Sequence, residues 1–429
     1  MSGRGWRLRR PPRPSRAITR LIVAAALLSA AARVSAQPSV VALANGLDVA
    51  VEAGGPYDAV VACFVTPEPE ALDEIGRRAV VVAALTAAAR EPGGPADRVA
   101  RVGGAIAVEE AGDLIVVTAY GDSGSAPTLA RQTVDLLRHK SGAASLMGDG
   151  SLPAEIDRSV SAGLSLRGEA ERRLLGAAWC ADPAEIRLAA ESLTPGLLDA
   201  IMDAWFSASG GAVSVVSAGA VAGVLGPLSE LSQAAGAGKR LVRTAGRGDA
   251  VVRTQPHGQS VVAVAVAGPL PIADDAPAWA VTARLLGAGN SSALFRELRT
   301  AAGLAYLTGC SWPIDESCLL WAEAECDPGR ERDVLAGMEG ILDELARTGP
   351  TREALDRAKA RTRLQLLAAL SSPLRRARLR AAGMAWGDGP LWPERLTEKI
   401  EGVAPEDIRR VAETIASGGL VLRIESGPG

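Results

Sequence analysis

The sequence predicts an α+β protein built from two homologous repeats, each a mainly antiparallel sheet packed with helices. Three observations carry this expectation. The chain has 429 residues, too many for one ordinary domain and well suited to two. Apolar residues make up 48% and charged residues 22%, so material for packed cores is ample. The third is a repeated order of strands, a buried helix, a hairpin, amphipathic helices and a closing strand. The closing pieces match closely: Leu193-Thr-Pro-Gly-Leu-Leu before a strand at 212–218, and Val403-Ala-Pro-Glu-Asp-Ile before a strand at 420–425.

Residues 1–36 read as a secretory signal. Arginines between Arg4 and Arg20 give a positive start, residues 21–32 an apolar run of twelve, and Val34-Ser35-Ala36 a small-residue cleavage site. The run falls short of the ~20 residues a membrane span needs. No second run of that length occurs, and no cysteine follows the cleavage site to take a lipid. The expected product is exported, periplasmic or extracellular, with no membrane anchor. Eight of the 46 basic residues and none of the 49 acidic ones lie in the signal, so the mature net charge is −11. That charge, with only 3% aromatic residues to stack on bases, argues against nucleic-acid binding.

The first repeat is expected at 37–218. Residues 40–51 give two short extended runs around an Asn45-Gly46 turn, followed by a strand at 59–65. Residues 76–90 form a helix that is apolar on nearly every face from Ala79 to Ala89, hence buried. A short helix at 97–103 and two strands within 105–119, meeting near Gly112, come next. Helices at 126–139, from 153 to about 168 and across 169–206 lead to the closing strand. Residues 219–248, rich in Ala, Gly and Ser with a basic patch at Lys239, Arg240, Arg243 and Arg247, read as a linker. The second repeat, 249–429, has a strand at 260–267, a buried helix at 276–286 and a strand at 318–326. Helices follow at 330–347, 351–370 and within 394–415.

Residues 287–306 organise the second repeat. A small-residue loop, 287–292, runs into a short helix whose apolar side carries Leu294, Phe295 and Leu298. Gly303 ends that helix, because glycine accepts a left-handed cap without a Cβ clash. Arg299 sits on the last helical turn and Tyr306 at the start of the next strand, seven residues apart. Leu-Arg, five residues, then Ala-Tyr, after a Gly-rich loop and a Leu-Phe pair, resembles the C-terminal half of the insulinase-like (pitrilysin) zinc metallopeptidases and mitochondrial processing peptidases. Leu43-x-Asn-Gly-Leu47, with the alternating residues after it, resembles the first strand pair of the same fold.

Active members of that family carry His-x-x-Glu-His on the buried helix of the first half, where two imidazoles bind zinc and the Glu activates water. In the register the resemblance implies, those positions hold Ala79, Val82 and Ala83, none of which can ligate a metal. The register is not essential to this conclusion. The chain has two histidines, His139 and His257, so no zinc motif with two histidines a few residues apart can be written. The segment expected to supply a distal Glu, 159–168, has no acidic residue, and Glu155 and Glu169 beside it read as solvated helix charges. His139 reads as a helix-dipole partner and His257 as a loop residue. There is no Gly-x-Ser-x-Gly elbow, P-loop or complete dinucleotide fingerprint. Neither a metal nor a cofactor is expected.

In active relatives, the resemblance implies, the Arg and Tyr matched by Arg299 and Tyr306 contact the substrate backbone, and the Tyr helps hold the oxyanion. The plainer alternative pairs Arg299 with Glu297 or Glu316 and leaves Tyr306 a half-buried strand residue. In the two-subunit branch one chain bears zinc while its partner supplies substrate-binding groups. The resulting expectation is a non-catalytic exported subunit, paired with an active zinc-bearing homologue and a peptide or unfolded polypeptide substrate. The alternative is an independent peptide-binding or scaffold protein. Cys63, Cys180, Cys310, Cys318 and Cys326 are odd in number and form no C-x-x-C. They suit either one or two disulfides or small buried thiols, and a hairpin pairing Trp312 with Ser317 would favour a Cys310–Cys318 bridge.

Overall fold

Two sheets with the same strand order form the frame of the computed structural model. It describes residues 37–426 apart from 68, 70–73, 139–151, 158–170, 173, 175–180, 220–222, 234–247, 255–258, 313–318 and 419. The first sheet contains β1 (Ser39–Ala42), β2 (Asp48–Ala53), β3 (Asp58–Val65), β4 (Ala105–Ala111), β5 (Leu114–Gly121) and β6 (Gly211–Ser217), in the order β1-β2-β6-β3-β5-β4. The second contains β7 (Gly248–Thr254), β8 (Ser260–Ala267), β9 (Leu307–Ser311), β10 (Leu319–Cys326) and β11 (Leu420–Ser426), in the order β7-β11-β8-β10-β9. Leaving β1 aside, each sheet runs first, last, second, fourth, third strand of its half. Each also has one parallel pair, β2 with β6 and β7 with β11, among antiparallel ones. The α+β class holds, with one topology used twice.

The longer helices of the first half among the described residues are α1 (Arg77–Ala89), α2 (Pro95–Ala100), α3 (Ala126–Leu137), α4 (Pro183–Ser192) and α5 (Pro195–Trp205). Those of the second are α6 (Ala276–Gly287), α7 (Glu331–Thr348), α8 (Arg352–Ser371), α9 (Pro373–Ala385), α10 (Trp392–Lys399) and α11 (Pro405–Gly418). Alternation along β3 divides its side chains between two cores. Val60, Ala62 and Phe64 join the core formed with α1 and α3, whereas Ala59, Val61 and Cys63 join the core that contains α9 and the second sheet. Val224, Leu228 and Leu231, which fall in the stretch read as a linker, are buried in the first core. Asn45 fastens them there by donating to the carbonyls of Leu228 and Leu231, at 3.0 and 3.3 Å.

Helix α9 covers the second face of the first sheet, against β3 and β6. Its arginines meet acids from the other half. Glu52, 2% exposed, receives Arg380 at 2.8 Å and Arg376 at 3.0 Å. Arg380 also reaches Glu394 at 2.9 Å and the Pro390 carbonyl at 2.8 Å, so its charge is both neutralised and hydrogen-bonded. Arg378 pairs with Glu109, and Trp386 Nε1 donates to Asp113 at 3.0 Å.

Three cysteines, Cys63, Cys310 and Cys326, are free and buried. The expected hairpin register fails: Cys310 stands opposite Ala322, and Ser311 opposite Trp321. Cys180 and Cys318 lie outside the described residues, as do the expected signal at 1–36 and both histidines.

Candidate functional site

Two places matter, α1 in the first half and the loop–helix–strand junction in the second. Gly76 precedes α1, whose apolar run extends to Ala89. Ala79, Val82 and Ala83 fall at i, i+3 and i+4, hence on one face. Ala79 and Ala83 are buried and Val82 half-buried, all within or against the first core. Three alkyl groups occupy this face, and none carries a donor atom. Arg78, beside them, is held by Glu110 at 2.7 Å and the Gly112 carbonyl at 2.6 Å.

Glu155 corrects one expectation. Read as a solvated charge, it is 7% exposed and pairs with Arg90 at the C-terminal end of α1. A carboxylate tolerates such burial because a guanidinium neutralises it there. Glu169 and the segment 159–168 lie outside the described residues. Among the described residues no three His, Cys, Asp or Glu side chains come together as a metal-holding group.

The second-half junction is built tightly. Gly287 ends α6 where a Cβ would come within 1.8 Å of the Cys310 backbone nitrogen, so only glycine allows the loop to lie against β9. The helix that follows is a π-helix, Phe295–Ala301, with Leu294 and Leu298 buried at 2% and 1%. Its closing bond, Ala302 N–H to the Glu297 carbonyl, spans five residues. Gly303 adopts φ +62°, as its capping role requires. Beyond it the Leu298 carbonyl accepts the N–H groups of Leu304 and Ala305, at 2.7 and 3.3 Å. The chain thereby turns back, and the Tyr306 N–H meets the Glu325 carbonyl at 2.9 Å to start the strand.

Arg299 and Tyr306 are thus on the final helical turn and at the head of β9, and both are exposed. The Arg299 guanidinium lies 5.0 Å from the Phe295 ring centroid, a cation–π contact, with no carboxylate partner among the described residues. The alternative pair with Glu297 does not form, and Glu316 lies outside the described residues. Tyr306 is 51% exposed, more than a half-buried strand residue would be, and Leu307 beside it is 47% exposed. The phenol donates to both Asp327 carboxylate oxygens, at 3.0 and 3.1 Å. That hydrogen bond, reinforced by the negative charge, raises the phenol pKa above its usual value. Asp327 was not singled out by the sequence. Its signal is its place just after β10, the neighbour of β9 in the antiparallel ladder.

Residues 229–362 match the family model described as the peptidase M16 inactive domain, a stretch that includes Arg299 and Tyr306 but not α1. Over 132 residues the chain is 30% identical to an uncharacterized zinc protease of Streptomyces coelicolor, a match spanning 30% of this chain and 28% of that relative. In fold the chain is similar to a protease from Helicobacter pylori, with TM-score 0.75 and 14% identity over 91% of this chain and 99% of that one. A peptidase M16 inactive domain from Pseudomonas fluorescens is similar at TM-score 0.73 and 14% identity, with the same shares covered. The periplasmic protease PqqL from Escherichia coli matches at TM-score 0.62 and 14% identity, over 91% of this chain and 46% of that one. The matched second half and the doubled strand order point the same way. Residues 229–362 are thus similar to the peptidase M16 inactive domain, the described chain has the fold of M16-type proteins, and no His-x-x-Glu-His motif occurs in the sequence.

Proposed function

We propose that this chain is the non-catalytic, exported subunit of a processing-peptidase-like pair. It completes the chamber of a zinc-bearing homologue and binds the peptide substrate. The repeats are taken as 37–218 and 249–429, joined through 219–248, after a signal that is removed. The similarity to a periplasmic protease supports an exported place. No helix among the described residues is long and apolar enough to cross a membrane.

One observation carries the reading: the two candidate places differ in what they present. The α1 face holds only Ala79, Val82 and Ala83, while the junction still presents Arg299 and Tyr306 to solvent. Replacing polar ligands by alkyl groups inside a core removes unpaired polar atoms, so this loss is easy once another chain does the chemistry. The donors at the junction stay exposed, with contacts only to Phe295 and Asp327 among the described residues. A guanidinium offers a fixed fork of donors to peptide carbonyls, and a phenol offers a rigid donor to developing negative charge.

The test is peptide cleavage by the organism's His-x-x-Glu-His homologue, with and without this chain. Stimulation is expected, and Arg299→Ala or Tyr306→Phe should each cost ~10² to 10³ in rate within the complex. A homologue fully active alone, or an unchanged rate in the double variant, defeats the reading. The independent peptide-binding or scaffold role is favoured by one observation, that the Tyr306 phenol is already engaged by Asp327. That role takes over if stimulation fails.

A further inference from the structure

The Gly-rich loop before the π-helix faces a second feature that Arg299 and Tyr306 do not use. Between this loop and the first half of α8 lies a cleft of about 30 Å³, lined by Arg284, Arg296, Arg357, Arg361, Ser291 and Ser292 among others. No carboxylate lines it. Arg357 pairs outward with Glu353, whose side chain is 83% exposed. Arg361 crosses over the loop and donates to the Ala288 carbonyl. Its guanidinium would lie about 3.7 Å from a Cβ at Gly289, a residue held at φ +75°.

The other two arginines are unanswered. Neither Arg284 nor Arg296 has a hydrogen-bond or ion-pair partner among the described residues. Ser292 is 2% exposed, and its hydroxyl is buried with no partner. An unpaired buried hydroxyl is costly, and guanidinium groups crowded round so small a space repel one another. Both costs vanish if an anion sits in the cleft. The space accommodates roughly two or three water-sized atoms, which suits the oxygens of one such group. Burial also lowers the Arg284 pKa, the mark of a cation partly withdrawn from water without a counter-charge.

We infer that this cleft is a binding site for a single oxyanion group, a carboxylate or a phosphate, held by Arg284, Arg296 and Arg361 with the Ser292 hydroxyl as a further donor. Arg361 is fixed beforehand by Ala288, so part of the ordering is complete before the anion arrives. The site is separate from the peptide-binding reading, and its failure would leave that reading untouched.

Isothermal titration of the full chain with inorganic phosphate and, separately, with acetate tests the inference at fixed ionic strength. One-site binding of at least one anion is expected, and which anion binds names the group. Arg284→Gln and Arg296→Gln break no internal contact, so both variants should fold, as circular dichroism would check. Each should weaken binding roughly tenfold or more, the effect of one lost hydrogen bond to a charged group. Ser292→Ala should weaken binding without lowering Tm, whereas a merely structural hydroxyl would move Tm alone. Absence of binding by both anions, or equal affinity in the double arginine variant, overturns the site.

Discussion

Tyr306 donates to Asp327, and that bond makes the phenol titration a direct reading of the junction. Its folded pKa lies above the unfolded value, so the bond's contribution is fully present below the unfolded pKa of about 10. It is lost as pH rises through the folded value. Asp327→Asn should return the phenol toward its ordinary pKa, observed as the titration difference between that variant and Asp327→Asn/Tyr306→Phe. An unchanged phenol pKa would mean that the bond does not form in solution. The thiols give a second residue-scale test. Burial pushes Cys63 and Cys310 up to about 12 and Cys326 to about 11, leaving almost no thiolate near neutrality. Alkylation of the native protein mapped by mass spectrometry should spare Cys63 and Cys310 and reach them after unfolding. Labelling at native rates typical of free cysteine would contradict the buried placement. Arg299 and Tyr306 stood out only through the resemblance, in which loop, Leu-Phe pair, Leu-Arg and Ala-Tyr fall in one register. The partners were harder. Glu155 looked solvated because its neutralising Arg90 is 65 residues away in sequence, and the sulfur register depended on a hairpin whose pairing is set by side chains on both strands.

At the scale of elements, α9 decides how the halves are joined. Its sequence, with Arg375, Arg376, Arg378 and Arg380 close together, gives no apolar stripe and was not picked out as an element. In the structure Arg376 and Arg380 are 4% and 1% exposed, with Glu52 on β2 supplying the charge that makes their burial tolerable. Sequence periodicity cannot show such a pairing, since hydrophobic pattern counts arginine as surface. Arg376→Ala and Arg380→Ala together strand Glu52 in the core and should cost at least ~3–5 kcal/mol, measured by urea unfolding. Replacing Glu52, Arg376 and Arg380 together by well-packed apolar residues should cost far less. Equal losses would mean that packing alone, and not charge compensation, holds α9 to the first sheet. Strand β7 was missed for a related reason. Only Ala250, Val251 and Val252 are apolar there, and the strand is defined by its parallel pairing with β11 at the far end of the chain. The strands that were legible, β3 and β8 above all, are those buried on both faces and therefore rich in Val and Ala. The π-helix carrying Arg299 left no mark in the sequence, because an extra residue in a turn does not disturb an apolar pattern two turns long.

For the whole molecule, the repeated strand order accounts for the length and for the family fold, while α9 and its arginines make the second half part of the first half's core. The doubling was legible because both copies close with a similar helix start and an apolar strand. How they lock together was not, since it rests on pairs such as Arg378 with Glu109 and Trp386 with Asp113, distant in sequence. The account's central claim is that this chain has kept the substrate side of a peptidase and given up the metal side, relying on a partner for zinc. Elemental analysis of the purified chain and of its complex with the His-x-x-Glu-His homologue measures this most directly. The account predicts no stoichiometric zinc in the isolated chain and one zinc per heterodimer, removed by substituting the partner's motif alone. One equivalent of tightly bound zinc in the isolated chain would contradict it.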